Sequence, residues 1–205
     1  MGWYGERVVP RITSFALAEK RTGETRDRVC AGLTGQVLEI GFGSGINAAH
    51  YPAAVTEVLA VEPSDVAWGM AAPRVAASGS VVRRVGLDGQ SLPLADDSAD
   101  SAVSTWTLCT IPDAGRALAE VRRVLKPGGT LHFVEHGRSP HDGVRRWQER
   151  LDPIQKRMAG GCHLSRPIDE LVTGAGFTID ALSTYYAPKE PKPFAWFYEG
   201  VARKA

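Results

Sequence analysis

Residues 36–62 read QVLEIGFGSGINAAHYPAAVTEVLAVE, and this stretch decides the fold. A short apolar run ends in glycines, a helical stretch follows, and a second apolar run closes on an acid. That order is a βαβ unit. The turn after the first strand is Gly41-Phe42-Gly43-Ser44-Gly45, a G-x-G-x-G spacing. A dinucleotide fingerprint places its third glycine one residue later, where this chain has Ile46. Glu39 puts an anion beside the place a pyrophosphate would occupy. Glu62 ends the second strand, where a carboxylate accepts hydrogen bonds from both hydroxyls of a ribose. A nucleoside carrying an amino-acid tail in place of phosphates suits this set, and the ligand so described is S-adenosylmethionine.

Outward from this unit, strand-length apolar runs alternate with helical segments, the pattern of an α/β protein with helices on both faces of a parallel sheet. The reading places strands at 36–40, 56–61, 81–85, 101–105 and 130–135. Asp113 caps a helix that runs to about Leu125, with Ala117, Leu118, Val121 and Val124 on one face. Lys126-Pro127-Gly128-Gly129 stops that helix and turns the chain. Residues 143–158 are helical with an interruption at Pro153, and a further helix over 167–175 ends at Gly176. Two closing strands, 178–185 and 194–201, are joined by a proline-rich loop. The first 30 residues are helical and lie outside the sheet. Pro73 predicts a kink or an early end in the helix after Glu62.

With 24 Lys and Arg against 23 Asp and Glu, the net charge is +1, which leaves no electrostatic footprint for nucleic acid. The cysteines, Cys30, Cys109 and Cys162, are odd in number and far apart in sequence. No pair has zinc spacing, so neither a disulfide framework nor a metal is expected. Reduced thiols, no integral membrane segment and no signal-peptide pattern predict a cytoplasmic protein of one domain. Within it, 1–30 form a helical cap, 31–136 the cofactor-binding core, and 137–205 the acceptor side. Oligomeric state is not legible.

Ligands of open α/β sheets sit at the carboxyl ends of the strands. Glu39 there balances an α-ammonium group, directly or through water. The helix starting near Gly45 offers free N–H groups to the ligand carboxylate. Asp88 accepts from the adenine amino group, and the N–H of Gly89 donates to the ring. Thr105, Trp106 and Thr107 follow strand four, near the sulfonium, to which Trp106 offers a cation–π contact. Each has a plainer reading. Glycine turns occur as simple βα connections, Glu62 alone suits a helix N-terminus, and a lone tryptophan is usually core.

Four motifs carry a family resemblance: VLEIGFGSG at the glycine turn, AVEPS at the acidic strand end, LDGQSLPLADDSADS, and AEVRRVLKPGGTLHFVEH. Over about residues 34–135 the chain resembles the class I S-adenosylmethionine-dependent methyltransferases, in the branch of the ubiquinone and menaquinone enzymes. The resemblance implies a Rossmann-like seven-stranded sheet with its last strand antiparallel. It also implies S-adenosylmethionine as cofactor, S-adenosylhomocysteine as product, and Pro63 among the cofactor-binding residues. WTLCTI and LDPIQKRMAGGCHLSR look like a narrower subgroup, the alkyl-thiol methyltransferases. The hydrophobic N-terminal anchor of that subgroup's animal members has no counterpart here, which puts membrane association and lipophilic substrates in question.

The acceptor implied is a small molecule, with a lean to a thiol from the subgroup alone; a quinone carbon, an amine or a phospholipid headgroup stay open. His136, after strand five, is the candidate catalytic base, because imidazole titrates near neutrality. Its alternative is a hydrogen bond to backbone in the next loop. Cys109 and Cys162 read as small apolar residues lining the pocket. Asp152, His163 and Arg166 either shape that pocket or serve as caps and surface ion pairs. Tyr4, beside Trp3, either faces the sulfonium from a lid or belongs to a packed terminal helix. Two other classes compete with an enzyme of this kind: a non-catalytic S-adenosylmethionine-binding module, and a nicotinamide oxidoreductase, which the glycine spacing disfavours.

Overall fold

Along each inner strand successive side chains point to opposite faces of the sheet, and both faces of this chain are apolar. In the first strand Val37 is buried toward one side, while Leu38 and Ile40 are buried toward the other. A sheet with two apolar faces must be covered twice, and the computed structural model, which describes residues 7–205, shows how. The elements in order are α1 (Val9–Ala16), α2 (Glu19–Cys30), β1 (Gly35–Ile40), β2 (Val55–Val61), α3 (Asp65–Ser78), β3 (Val82–Gly86) and β4 (Ala99–Thr105). There follow α4 (Ala114–Val124), β5 (Leu125–His136), α5 (Asp142–Met158), α6 (Ile168–Gly174), β6 (Phe177–Tyr186), α7 (Lys192–Ala195) and β7 (Trp196–Lys204).

The seven strands lie in the order β3-β2-β1-β4-β5-β7-β6. All pairings from β3 to β5 are parallel, and β7 runs antiparallel to both β5 and β6. The order reverses between β1 and β4, the switch point at which such sheets open a ligand crevice. Leu118 and Val121 of α4 and Ile168 and Val172 of α6 pack with Leu38, Leu59 and Phe133 on one face. On the other, Val29 and Cys30 of α2 and Ala71 of α3 meet Val37, Val58 and Val103.

Local signals account for most boundaries. Ser64 accepts from the N–H of Ala67 and starts α3, and left-handed Gly79 ends it. Asp113 accepts from the N–H of Arg116 and starts α4 as expected. Three expectations change. The segment after the glycine turn is a single 3₁₀ turn, Ile46–Ala49, and not a helix. Helix α3 runs through Pro73 to Ser78, so the early end does not occur there, and α5 runs through Pro153 to Met158 without the expected interruption. The strand after α4 starts at Leu125, opposite Ala99, and 126–129 bulge out of register before Thr130 pairs with Ser101. Trp3 and Tyr4 lie outside the described residues.

Phe133 is fully buried in the middle of β5, where a Cβ on Gly200 of the adjoining β7 would come within 2.8 Å of its ring. Phe133→Ala therefore leaves a cavity that the sheet cannot close. The expected loss is about 3–5 kcal/mol, read from the urea midpoint at unchanged m-value. A loss under about 1 kcal/mol would mean that β7 relaxes into the space.

Candidate functional site

The glycine turn crosses the carboxyl end of β1 in a left-handed path, with φ of 72° at Gly41, 58° at Gly43 and 70° at Gly45. A Cβ on Gly41 would lie 2.1 Å from the hydroxyl oxygen of Thr107, so the turn packs against the loop that leaves β4. A Cβ on Gly43 would meet no heavy atom closer than 3.8 Å, which leaves its outer side open to a ligand. Glu62 closes the turn from β2: Oε2 accepts from the N–H of Gly43 at 2.7 Å, and Oε1 accepts from the N–H of Ser64 at 2.7 Å. Burial pushes its carboxyl above the usual range. Each oxygen keeps a further lone pair for a ligand hydroxyl. Phe42 is buried against Trp68 with ring centres 5.5 Å apart. Ser44 bonds Ser14 of α1 at 3.0 Å.

Glu39 is not at the surface of the crevice. It is buried behind the turn, accepting from Asn47 Nδ2 at 2.9 Å and from the hydroxyl of Tyr51. Asn47 in turn accepts from Arg26, and both Asn47 and Arg26 donate to Thr105 Oγ1 at 3.2 Å. Arg26 comes from α2 and is 3% exposed, a buried cation compensating a buried carboxylate. Its guanidinium sits 4.9 Å from the centre of the Trp106 ring. The cation over Trp106 is thus Arg26, where the sequence suggested a sulfonium. Sequence reading missed Arg26, which stands in a segment of otherwise polar helix with no motif around it. The 3₁₀ turn is the local cost of this network, since Asn47 must fold back onto Glu39.

Asp88 and Pro63 are exposed at neighbouring strand ends, and Gly89 is buried against Ile40 and Ile111. Asp88 accepts from the backbone and side chain of Gln90 at 2.9 and 3.0 Å, which lowers its pKa and keeps it an acceptor.

At the end of β5, Glu135 is fully buried and ties down the loop after β4. It accepts from Ser104 Oγ at 2.7 Å and from the N–H groups of Thr107 at 3.0 Å and Cys109 at 3.1 Å. Half-buried His136 packs on Phe197 with centres 4.7 Å apart, and its Nδ1 faces the Sγ atoms of Cys109 and Cys162, each 4.0 Å away. The two sulfurs are 3.6 Å apart. The alternative of a backbone hydrogen bond for His136 is not what Nδ1 makes. Cysteines that look scattered in sequence are therefore neighbours, brought together from loops 53 residues apart. Asp152 is no surface ion-pair partner: it is buried, accepting from the N–H of Leu164 at 2.6 Å and from the Ser165 hydroxyl. Arg166 donates to the carbonyls of Leu108 and Pro112, and the N–H of His163 donates to the carbonyl of Cys109 at 2.8 Å. The loops 107–112 and 159–166 are stitched into one unit.

An open-sided glycine cradle with a buried acid at its rim fits a nucleoside with an amino-acid tail. The comparisons agree. A methyltransferase domain model matches residues 38–133. Thiol S-methyltransferase TMT1B of Homo sapiens is 31% identical over 201 residues, covering 94% of this chain and 79% of its own length. The Rattus norvegicus protein of the same name is 33% identical over 168 residues, 80% of this chain; the chain spans 66% of its length. A crystal structure described as an S-adenosylmethionine-dependent methyltransferase, possible histamine N-methyltransferase, from Thermotoga maritima has a TM-score of 0.70 at 24% identity. It covers 99% of each chain and shares the fold.

Burial pushes the Glu39 carboxyl up to about 7 from 4.5, against the hydrogen bonds from Tyr51 and Asn47. The folded chain binds this proton more tightly than the unfolded one. Its stabilising contribution is full below about pH 4.5 and is lost as pH rises through about 7. Glu39→Gln is expected to flatten that loss, measured as urea midpoints of the ligand-free protein across the same window. Parallel pH profiles for the two proteins would place the charge elsewhere.

Proposed function

The chain belongs to the class I S-adenosylmethionine-dependent methyltransferases, and from that premise we propose that its acceptor is a small thiol. The observation that supports this reading is the geometry of the acceptor side. A half-buried imidazole and two cysteine sulfurs converge at the end of β5, next to the loop that borders the glycine turn. A soft, polarisable lining of this kind suits a sulfur nucleophile better than a hydroxyl or an amine. The similarity to relatives named thiol S-methyltransferases points the same way.

When bound, S-adenosylmethionine supplies an electrophilic methyl carbon on a sulfonium. The work left to the protein is binding, alignment and exclusion of water. In this reading the cradle from Gly41 to Gly45 admits the amino-acid tail, and Glu62 accepts from the ribose hydroxyls. Asp88 accepts from the adenine amino group, while Gly89 and Pro63 line the base. Phe42 and Ser44 hold the cradle's shape through Trp68 and Ser14. Glu39 acts through Asn47 and Thr105 as a positioning residue. Thr105 and Trp106 form the boundary between cofactor and acceptor. His136 is the group on which handling of the acceptor proton depends.

Two substitutions separate these roles. Glu62→Ala removes charge-assisted hydrogen bonds worth about 1.5–3 kcal/mol and is expected to weaken cofactor binding at least about tenfold by calorimetry. Unchanged affinity in the folded variant would sink that assignment. His136→Ala is expected to leave cofactor affinity within about threefold while turnover falls at least about tenfold. Untouched turnover would make His136 structural.

The acceptor itself is tested by release of S-adenosylhomocysteine across thiols, quinols, amines and phenols. Release with thiols is expected. Release confined to another class overturns the reading.

A further inference from the structure

Three ligands favoured by thiophilic metals meet beside the end of β5, and each comes from a different segment. Among the described residues this is the group whose ligand atoms converge, all within 4.8 Å of one another. Cys109 and Cys162 are 1% and 5% exposed. The sulfur–sulfur edge is 3.6 Å, and the two sulfur–nitrogen edges to His136 Nδ1 are 4.0 Å. A tetrahedral zinc ion, with Zn–S near 2.3 Å and Zn–N near 2.0–2.1 Å, calls for edges of about 3.8 Å between sulfurs and about 3.6 Å between sulfur and nitrogen. Every edge of the observed triangle is within about 0.5 Å of those lengths. A simple thiol–thiol contact would explain the short sulfur–sulfur edge. It would not place an imidazole nitrogen equally far from both sulfurs.

The surroundings hold this triangle in place. Glu135 fixes the Cys109 loop through two backbone amides, and Asp152 fixes the loop after Cys162 through the amide of Leu164. Arg166 and His163 join one loop to the other. Phe197 sets the plane of the imidazole. Metal sites rely on such outer partners to orient their ligands before the ion arrives. Three protein ligands are one short of a closed structural site and match the count of sites that keep a position for substrate.

We propose that Cys109, His136 and Cys162 bind a zinc ion through two thiolates and one imidazole nitrogen, with the fourth position receiving the acceptor sulfur. The zinc site stands on the geometry; the use of its fourth position rests on the thiol reading above. Binding of zinc displaces the protons of both cysteines to solvent. An acceptor thiol entering the fourth position loses its S–H proton in the same way, because a coordinating thiol is deprotonated outright. Its sulfur lone pair forms the new bond to the methyl carbon. The bond from that carbon to the sulfonium breaks, and its electron pair stays on the cofactor sulfur. The product is a neutral thioether, a weaker ligand than the thiolate it replaces. In this scheme His136 serves as a ligand and the metal takes over the task of a base.

The test uses the full chain, reduced with a phosphine and stripped of metal, titrated with cobalt(II) as the spectroscopic probe. One equivalent of cobalt is expected, with tetrahedral visible bands and a thiolate-to-cobalt band that zinc abolishes. Cys109→Ser, Cys162→Ser and His136→Ala are each expected to weaken binding more than about tenfold, and Cys30→Ala to leave it unchanged. His136→Ala, at a half-buried position, keeps the test decisive if a buried cysteine variant fails to fold by circular dichroism. No uptake of cobalt or zinc, or uptake indifferent to all three ligands, overturns the site. A metal-free protein about 2 Da lighter than its reduced form overturns it in favour of a Cys109–Cys162 disulfide.

Mercaptoethanol added to the cobalt protein is expected to strengthen the thiolate band. A band that does not change overturns the acceptor's place in the fourth position and leaves the metal site standing. Full-rate release of S-adenosylhomocysteine from thiols by metal-free protein does the same. Metal bound, with no release from any thiol, overturns the thiol reading alone.

Discussion

A carboxylate taken out of water must find donors, and this protein buries three of them at the carboxyl ends of adjacent or nearby strands. Glu39 on β1, Glu62 just past β2 and Glu135 on β5 are 1%, 6% and 0% exposed. An unpaired buried charge costs several kcal/mol, so each draws in whatever donors the neighbouring loop can supply. Glu62 takes the amides of the glycine turn and of the start of α3. Glu135 takes the amides of the loop after β4. Glu39 takes Asn47 and Tyr51, with Arg26 behind them. The loops of an open sheet are usually its least determined parts. Here they are fixed by charge at the strand ends that border the crevice of the sheet.

This constraint also separates what could be read in the sequence from what could not. The order of strands, the cap at Asp113 and the glycine turn are local signals with local causes, and the structure keeps them. The helix expected from Gly45 fails because Asn47, two residues on, is claimed by Glu39 at the strand end. A 3₁₀ turn delivers that side chain where a full helix would carry it away. Pro73 and Pro153 have strong local penalties. Both helices nonetheless continue, α3 with Ala67 and Ala71 against the sheet and α5 with Gln148 and Asp152 buried. Arg26 was illegible for another reason. A polar helix with three arginines, Arg21, Arg26 and Arg28, gives no sign that Arg26 is the one that turns inward, 79 positions before its partner Thr105.

The acceptor side shows the same limit more sharply. His136 was visible because it ends a strand. Cys109 and Cys162 read in the sequence only as small apolar residues of the pocket, because metal motifs are recognised by short spacing. Their proximity is created by α5, which carries the chain away from β5 and returns it at 159–166. Asp152 on that helix then captures the amide of Leu164. A cluster assembled by tertiary structure, with Cys109 and His136 27 positions apart and His136 and Cys162 26 positions apart, has no sequence signature.

Trp106 lies between the network behind the glycine turn and the cluster at the end of β5. Its backbone is left-handed at φ 52°, a conformation costing a side chain about 1–2 kcal/mol. The surrounding contacts sustain it: the N–H donates to the carbonyl of Val134 at 2.8 Å, and Arg26 covers the ring. The sharp bend that results sends the next residues across β5, so that Thr107 and Cys109 present their amides to Glu135. On the ring's other neighbour, Phe197 lies 5.9 Å from Trp106 and 4.7 Å from His136. Arg26, Trp106, Phe197 and His136 thus form one packed series from the network behind the glycine turn to the cluster of Cys109, His136 and Cys162. Arg26 meets Glu39 through Asn47, so the buried carboxylate and the tryptophan on which the loop after β4 turns belong to one network.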